Sequence, residues 1–430
     1  MAGARTALVN NGPPGGDCTF VGCVPSKTLI ESAAQGTSFA TAMGRVRDAV
    51  GRIAATEDAA ALAKEGIEVA SGRAVFTSPR QVLLDGRPVS ARRFVVASGS
   101  RPAIPPIPGL QSMAYLTNET VFDLTAQPAR LAVLGGGAIG CELAQAFARL
   151  GTTVTVIEAA PRLLPREEPE TSKVLARVFS DEGITVRTGA PVTQVRDRPD
   201  GRELVLAGGP PVVADAVLVA VGRTPTTADL GLDAAGVQLD ERGFVRTDAH
   251  LATTAGGIYA AGDVTGRLPF THAAYAMGRL AARNALRRRR ARFDTSAVPW
   301  VTFTAPEVAH VGRTEAQACE QATGARVAYL PMAELDRAIT AGHAEGFVKL
   351  IAGPRRLTGT TGGGRLLGAT IAGEMIHEVV LAMRTAMFTG GLAQAVHAYP
   401  TWSMAVQIAA AQFFDEFAGR SARLAGHHDV

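Results

Sequence analysis

The stretch from Leu131 to Glu158, LAVLGGGAIGCELAQAFARLGTTVTVIE, joins a short apolar run, a glycine-rich turn, a segment of helical periodicity and an alternating apolar segment. This order predicts a strand, a turn, a helix and a second strand, which is the βαβ unit of a doubly wound α/β sheet. The helix that follows such a turn offers free N–H groups and the positive end of its dipole to a pyrophosphate. The stretch therefore predicts a dinucleotide-binding domain.

Three glycines of this turn have separate expected roles. Gly135 permits the tight turn, Gly137 lets a pyrophosphate approach the backbone, and Gly140 allows the helix to pack closely. Glu158 follows Gly135 by 23 residues, near the separation of about 20 expected for an acid that binds a ribose 2′-hydroxyl. A carboxylate there repels a 2′-phosphate, which favours NAD over NADP, although arginines shortly after Glu158 leave NADP open.

The composition is that of an ordinary globular protein. The 430 residues are 47% apolar and 19% charged, enough for two or three domains. Four cysteines are too few for a secreted disulfide framework, which favours a cytoplasmic location. We expect neither a secretory signal nor a membrane span. The arginine run at 287–292 contributes to a net charge of +4, but without a recognition motif it predicts a solvated segment and no nucleic-acid partner.

A second stretch, GGDCTFVGCVPSK at residues 15–27, places Cys18 and Cys23 five residues apart. The pair could be a structural disulfide, part of a metal site or a redox pair. A metal site usually needs four ligands, and no second cysteine or histidine pair lies nearby; a structural bridge disagrees with a reducing compartment. Pro25 marks the first turn of a predicted helix, so Cys23 stands at a helix N-terminus, where the dipole favours a reactive thiolate. These residues favour a redox pair and predict no metal site.

Two similar strand exits and a separate C-terminal domain complete the organisation. VVASGSRP from Val95 and VLVAVGRTP from Val217 both lead from an apolar strand into a glycine turn. GIYAAGDVTG from Gly257 ends in a Gly-Asp turn, where Asp263 either binds a ligand hydroxyl or forms a plain turn. From Val298 onward, β-rich segments alternate with stretches of helical periodicity, which predicts an α+β domain.

Together these motifs resemble the class I pyridine nucleotide-disulfide oxidoreductases, the family of dihydrolipoamide dehydrogenase, glutathione reductase and mercuric reductase. The resemblance covers residues 15–27, the fingerprint at 131–158, SGSRP, VGRTP, AAGDVTG and YPT in order, and is strongest to the mercuric-reductase-like branch. It implies an α/β fold with two Rossmann-like dinucleotide-binding domains, for FAD and NAD(P), and a C-terminal α+β dimerisation domain. The implied boundaries are 1–130 and 251–296 for the two parts of the FAD domain, 131–250 for the NAD(P) domain and 297–430 for the dimerisation domain.

The resemblance also implies a function: a homodimeric flavoprotein that passes electrons from NAD(P)H through FAD to a Cys18–Cys23 disulfide. The electrons would continue to an unidentified disulfide, metal or quinone acceptor, either a small molecule or a small thiol. Cys23 would be the charge-transfer thiol and Cys18 the interchange thiol, while Lys27 would pair with Glu142 near the flavin. The remaining implied cofactor contacts are Gly16, Thr19, Ser98, Gly99, Gly135, Gly137, Gly140, Glu158, Gly222, Gly262, Asp263 and Ala273.

The sequence departs from the family at its start. It begins at what resembles the second strand of the family, GARTALVNN, so we expect the first βα unit of the FAD domain, roughly 30 residues, to be missing. Asn10 stands where the family carries the acid for the adenosine ribose. Either the start codon is assigned too late or the gene is truncated. The alternative function is therefore a truncated, flavin-free, catalytically inactive NAD-binding homologue.

The sequence departs again at the implied acid–base site, HAYPTWSMA. In disulfide reductases a histidine oriented by a glutamate reaches the active site of the partner subunit; here Tyr399 and Met404 occupy those positions. Tyrosine, with an unperturbed pKa of about 10, is a poor general base at neutral pH. His397 lies two residues before Tyr399 and is expected to be a surface or packing residue. Mercuric reductases do carry tyrosine there, but they also use a C-terminal cysteine pair that this sequence does not contain.

Overall fold

The computed structural model describes residues 4–354, 363–373, 375–417 and 419–427. The chain forms two compact units, one of residues 1–131, 195–202 and 214–293, and one of residues 132–194, 203–213 and 294–430. We call them unit 1 and unit 2. The predicted division into segments 1–130, 131–250, 251–296 and 297–430 stays a prediction.

The strands within the described residues are β1 (Thr6–Asn10), β2 (Ile67–Ser71), β3 (Ala74–Ser78), β4 (Gln81–Leu84), β5 (Arg87–Ser90), β6 (Phe94–Val96), β7 (Ser100–Pro102), β8 (Arg130–Leu134), β9 (Thr153–Ile157), β10 (Thr185–Arg187), β11 (Val192–Arg198), β12 (Gly201–Leu206), β13 (Val212–Ala214), β14 (Ala216–Val219), β15 (Arg223–Pro225), β16 (Ile258–Ala260), β17 (Trp300–Thr302), β18 (Val308–Gly312), β19 (Arg326–Pro331), β20 (Phe347–Ala352), β21 (Leu366–Ala372) and β22 (Arg423–Leu424).

The α-helices of the same residues are α1 (Gly16–Phe20), α2 (Cys23–Ala34), α3 (Phe39–Glu57), α4 (Ala59–Lys64), α5 (Ala138–Arg149), α6 (Pro169–Asp181), α7 (Thr271–Leu286), α8 (Glu315–Gln321), α9 (Asp336–Ala341), α10 (Ile376–Arg384), α11 (Thr389–Gln394) and α12 (Met404–Ala411). Short 3₁₀ helices lie at Val121–Asp123, Asp263–Thr265 and Met332–Glu334.

In unit 1, parallel strands occur as two separate pairs. β1 pairs with β2, and β16 pairs with β6. A three-stranded antiparallel sheet, β3-β4-β5, lies in the same unit. Leu29 of α2 and Met43 of α3 are both buried where these two helices pack. The expected absence of a first βα unit remains a prediction.

The two similar strand exits of unit 1 pair with each other. β7 follows the turn of VVASGSRP and β15 follows the turn of VLVAVGRTP, and the two strands run antiparallel, with Pro102 opposite Arg223 and Ser100 opposite Pro225. The repeat seen in the sequence therefore becomes one two-stranded ribbon. It brings two glycine turns to the same place, although they are more than a hundred residues apart in the sequence.

In unit 2, the fingerprint stretch forms the predicted βαβ unit. β8 and β9 are neighbouring strands, α5 connects them, and β10 continues the sheet in parallel beyond β9. Val133 and Val156 are fully buried, as expected for strands covered on both faces. The α/β class inferred from the sequence is thus confirmed.

The C-terminal part of unit 2 is a six-stranded antiparallel sheet in the order β17-β18-β21-β20-β19-β22. Its core joins Val348 and Leu350 of β20 to Val379 of α10 and to Val406 and Ala409 of α12. The predicted α+β domain is present, and β18 is a strand that the sequence pattern did not single out.

Candidate active site

The two cysteines of the motif lie side by side in unit 1. Cys18 is in α1 and Cys23 is the first residue of α2, as the sequence predicts for a helix N-terminus. Gly22 joins the helices, and a Cβ there would lie 2.7 Å from the Asp17 carbonyl oxygen. Only glycine therefore allows the turn to close so tightly.

The two sulfur atoms have unequal surroundings. Both cysteines are free thiols, with Cys18 half-buried and Cys23 exposed. A hydrogen bond with Cys23, followed by burial, raises the pKa of the Cys18 thiol. Since Cys18 keeps its proton, it can donate to Cys23 when Cys23 is a thiolate. This asymmetry is what a redox pair with one nucleophilic and one protonated sulfur requires.

A third side chain touches the pair. The Thr271 hydroxyl, at the start of α7, lies 3.2 Å from the Cys23 sulfur, and its hydrogen bonding acts to lower the pKa of Cys18. The sequence carries no local signal for this contact, because 248 positions separate Thr271 from Cys23.

Thr19 anchors the cysteine helix. It is buried, and its hydroxyl donates to Oε2 of Glu57 at 2.7 Å, which ties α1 to α3. A Cβ at Gly15 would approach both side chains, at 2.9 Å from Oε2 of Glu57 and 3.0 Å from Oγ1 of Thr19. The expected role of Thr19 as a cofactor contact stays a prediction, as does the ion pair of Lys27 with Glu142.

A polar network joins α1 to the two strand exits. Arg223 forms an ion pair with Asp17, and its Nε donates to the Ser100 hydroxyl at 2.6 Å. Ser100 in turn donates to Oδ2 of Asp263 at 2.6 Å, and that oxygen lies 3.5 Å from Nε of Arg223. The network thereby connects four segments that are distant in sequence. One of its members, Asp17, directly precedes Cys18.

Each member of this network directly follows a glycine with positive φ. The four angles are 60° at Gly16, 72° at Gly99, 146° at Gly222 and 78° at Gly262. A Cβ at the first three would meet no atom within 4 Å. These glycines therefore border open space, where a flat or extended ligand can approach the backbone.

The network also offers an acceptor to such a ligand. Oδ2 of Asp263 binds Ser100, while Oδ1 has no hydrogen-bond partner in the part of the chain that the structure describes. A carboxylate oxygen beside an open glycine border suits the hydroxyls of a ribityl chain, so these residues fit a flavin. Ser98 donates to the Thr226 carbonyl and Ala273 is buried in α7; their cofactor roles stay predictions.

The glycine turn of unit 2 has the geometry of a dinucleotide site. Gly135 has φ of 107°, and Gly137 is the N-cap of α5, with open space where its Cβ would lie. At Gly140 a Cβ would lie 1.9 Å from the Gly135 carbonyl oxygen, so the helix packs directly on the turn. Glu142, two residues after Gly140 in α5, accepts from the Phe303 N–H at 2.8 Å.

Glu158 follows β9 and braces the glycine turn. Its Oε2 accepts from the Gly136 N–H at 2.6 Å and its Oε1 accepts from the Ala160 N–H at 2.7 Å. Arg162, the first of the nearby arginines, donates to the Glu167 carbonyl and, through its other nitrogen, to the Pro165 carbonyl, both at 2.8 Å. The guanidinium of Arg162 is thus bound to backbone carbonyls. The carboxylate of Glu158 lies directly after β9, at the carboxyl end of the strand.

Tyr399 and His397 lie in the segment between α11 and α12. Tyr399 is 70% exposed, and its hydroxyl donates to Oδ2 of Asp336 at 2.8 Å, which raises the pKa of the phenol. His397 contacts the Ala395 carbonyl and, at 2.9 Å, Oε1 of Glu378. The histidine is held by its own unit, as expected of a packing residue.

Among the described residues, no helix is long and apolar enough to cross a membrane. No group of three or more His, Cys, Asp or Glu side chains among them could hold a metal ion.

Comparison with known families identifies the class. Residues 1–278 match the family described as pyridine nucleotide-disulphide oxidoreductase, and residues 298–410 match its dimerisation domain. The chain belongs to this family of flavin-dependent oxidoreductases, whose cofactors are FAD and NAD(P).

Individual relatives share most of their length with this chain. Dihydrolipoyl dehydrogenase of Thermus scotoductus is 35% identical over 439 residues, covering 95% of this chain and 92% of the relative. Mercuric reductase of Streptomyces lividans is 36% identical, covering 97% and 92%. Among solved structures, the Cu(II) complex of the HOCl-induced flavoprotein disulfide reductase RclA from Escherichia coli aligns with a TM-score of 0.87 and 30% identity, covering 95% and 94%.

Proposed function

We propose that this chain uses NAD(P)H to reduce a Cys18–Cys23 disulfide, which then reduces a small acceptor. The observation that carries the proposal is the thiol pair itself: two sulfurs hydrogen-bonded to each other, which raises the pKa of Cys18, with Cys23 at a helix N-terminus. The open glycine border beside it supplies room for the flavin. Glu158 supports NAD as the preferred coenzyme.

The electron count is that of a two-electron carrier. Bound FAD supplies the chemistry that connects a hydride donor to a disulfide. Overall, NAD(P)H and one proton convert the disulfide into two thiols and leave NAD(P)⁺. The two thiols then pass two electrons to the acceptor, release two protons to it or to solvent, and form the disulfide again.

The surroundings of Tyr399 support an acceptor that needs no protein-bound acid–base catalyst. Its hydroxyl donates to Asp336, which raises the pKa of the phenol, so Tyr399 is a weaker acid than an ordinary tyrosine and has no basic form at neutral pH. A disulfide acceptor requires a proton at its leaving sulfur. A thiophilic metal ion does not, and relatives include mercuric reductases and a reductase with bound Cu(II). We propose a metal ion as the acceptor, one Hg(II) or two Cu(II) for each two-electron oxidation of the thiol pair, ahead of a disulfide or a quinone.

Anaerobic titration of the purified protein with NADH tests the redox pair. We expect a yellow protein that develops a long-wavelength absorbance band, because the Cys23 thiolate faces the flavin in this proposal. Cys23→Ser should abolish the band, whereas Cys319→Ser, at an exposed cysteine outside the motif, should leave it unchanged. A band that survives in Cys23→Ser, or a colourless protein that still binds NADH, would contradict the proposal.

The acceptor is tested separately. With Hg(II) or Cu(II) as sole acceptor, NADH oxidation should be faster than with lipoamide or glutathione disulfide. It should be lost in Cys18→Ser. Faster turnover with a disulfide would contradict the metal ion as the acceptor and identify a disulfide in its place. It would not contradict the proposal that Cys18 and Cys23 form the redox pair.

A further inference from the structure

We propose that Thr271 holds the negative charge of the reduced pair on Cys23 by donating its hydroxyl hydrogen to the Cys23 sulfur. Its Oγ1 lies 3.2 Å from that sulfur, within the range for a hydrogen bond to sulfur. A thiolate only accepts, so the hydroxyl is the donor whenever Cys23 is ionised. The inference rests on the proposed function in one respect, namely that Cys23 is the working thiolate.

Two donors then converge on one sulfur. Cys18 keeps its proton, since its hydrogen bond with Cys23 raises the pKa of its thiol, and it can donate that proton to Cys23. Thr271 adds a second donor from α7. Hydrogen bonds to a charged acceptor are stronger than neutral ones, so the pair of donors favours charge on Cys23 over charge on Cys18.

The hydroxyl has a single hydrogen and two sulfurs within reach. Thr271 also acts on Cys18, where its hydrogen bond lowers the pKa of the thiol, but the effect of Cys23 is larger and opposite. When the reduced pair is ionised, the Cys23 sulfur at 3.2 Å is the charged acceptor, so the hydrogen of Thr271 goes to Cys23. Thr271 touches a reacting atom and is in this sense a catalytic residue.

Charged groups on the neighbouring elements complete the electrostatic setting. α1 carries Asp17, which is paired with Arg223. α2 carries Lys27 in its second turn, and α7 carries His272 directly after Thr271. Glu57 of α3 is hydrogen-bonded to Thr19. These groups are common to all the variants below, so a difference between variants reports on the hydroxyl.

The test measures alkylation of each cysteine without any electron transfer. Holoenzyme is reduced with dithiothreitol, desalted anaerobically and treated with iodoacetamide between pH 5 and pH 10. Fragment mass spectrometry then separates modification at Cys18 from modification at Cys23. In Thr271→Val and Thr271→Ala we expect Cys23 to react about tenfold more slowly at pH 7, which corresponds to one pKa unit. Thr271→Ser keeps the hydroxyl and should react within about twofold of the wild type.

Thr28→Val is the matched control. Thr28 lies in α2, and its hydroxyl donates to the Val24 carbonyl at 2.8 Å and not to sulfur, so its removal should leave both cysteines unchanged. The proposal is overturned if Thr271→Val alkylates like the wild type, if the loss falls on Cys18, or if Thr271→Ser is as slow as Thr271→Val.

The same measurements separate the two proposals. Alkylation uses neither NAD(P)H nor an acceptor, so a wild type that fails to oxidise NADH while its Cys23 depends on Thr271 contradicts only the proposed function. An active enzyme whose Cys23 ignores Thr271 contradicts only the role of the threonine.

Discussion

Cys18 and Cys23 stand five residues apart in the sequence, yet their chemical surroundings differ. Helix geometry places Cys23 at the start of α2, whereas Cys18 sits within α1, half-buried and bonded to its neighbour. The difference depends on two contacts of single atoms, the sulfur–sulfur hydrogen bond and the Thr271 hydroxyl. Roles within the redox pair are therefore decided at the scale of the residue.

A single buried histidine, His310, should make the stability of the fold depend on pH. His310 of β18 is buried, with Nδ1 at 2.7 Å from the Thr370 hydroxyl and Nε2 at 3.1 Å from the Gly312 carbonyl. Burial lowers the pKa of His310 to about 4. The unfolded chain takes up this proton near its ordinary pKa of about 6.5. Stability due to His310 is therefore complete above about pH 6.5 and is lost progressively as the pH falls to about 4.

Between pH 7 and pH 5 we expect this group to remove about 2 kcal/mol from the free energy of unfolding. Urea unfolding at the two pH values measures the loss. In His310→Gln the decrease in the free energy of unfolding between pH 7 and pH 5 should be smaller than in the wild type by about 2 kcal/mol. This holds whatever the stability of the variant at pH 7. His343→Gln, at an exposed histidine, should keep the drop of the wild type, and an unchanged drop in His310→Gln would refute the assignment.

At the scale of elements, Arg223 connects the cysteine helix to the strand-exit ribbon. It binds Asp17 of α1, Ser100 of β7 and, through Ser100, Asp263 of the 3₁₀ turn. Three of the four glycines that precede these residues, Gly16, Gly99 and Gly222, leave the adjacent space open. One guanidinium thus connects segments that are far apart in the sequence.

Replacing Arg223 with methionine should therefore loosen the flavin site. We expect the flavin content of the purified protein to fall several-fold, because Asp17 and Asp263 lose their shared cation and the open border loses its shape. Absorbance at 450 nm relative to 280 nm measures it. Arg73→Met is the control, since its pair with Asp229 is exposed, with 57% and 75% of the two side chains accessible. Equal flavin content in both variants would contradict the role of Arg223.

Unit 2 contains a buried cluster of opposite charges that connects β20 to two helices. Nζ of Lys349 lies 3.0 Å from Glu168, 2.9 Å from Glu170 and 2.7 Å from Glu315. Burial acts to lower the pKa of Lys349, but the nearby carboxylates have the larger combined effect and the pKa is raised. Likewise burial opposes ionisation of Glu315, while Arg423 and Lys349 lower its pKa to about 2. Arg423 and the Lys349 ammonium together allow Glu315 to remain ionised despite its burial.

Lys349→Met should cost about 3–5 kcal/mol of stability at pH 7, because it leaves buried carboxylates without their cation. Urea unfolding gives the value, and the loss should lessen at pH 5, where the acids can take up protons. Arg420→Met breaks a half-exposed pair with Glu334 and should cost less than about 1 kcal/mol. A loss for Lys349→Met no larger than that of Arg420→Met would show that the cluster contributes little.

For the whole molecule, the apolar residues left exposed indicate assembly. Leu381 is 62% exposed, Val396 98% and Tyr399 70%, and all three belong to the region that matches the dimerisation domain, residues 298–410. Apolar side chains exposed in a dimerisation domain are available for a second chain to cover. We propose a homodimer formed through this region.

Sedimentation should give a mass about twice the 44.6 kDa of one chain. Leu381→Glu should shift the protein toward monomer, since it places an unpaired carboxylate in the proposed interface. Val89→Glu changes an apolar residue that is 37% exposed and lies outside the matched region; it should sediment like the wild type. A monomeric wild type, or a Leu381→Glu variant that remains dimeric, would argue against this interface.

The sequence by itself determined the α/β class, the βαβ unit at residues 131–158, the helix that begins at Cys23, the redox nature of the cysteine motif and the family. The fold class, the βαβ unit and the helix start follow from local rules, namely hydrophobic periodicity, glycine turns and helix ends, which act over a few neighbouring residues. The family rests on the resemblance of the motifs taken together. Gly140 shows how far such reasoning reaches, because its close contact with the Gly135 carbonyl is local.

Only the tertiary structure brought Thr271 to Cys23 and Arg223 to Asp17, across 248 and 206 positions. It also paired the two strand exits, which the sequence showed merely as similar segments. The physical reason is that a hydrogen bond depends on distances of tenths of an ångström between groups whose separation along the chain carries no periodicity. Such contacts exist only after the sheets and helices have closed around them.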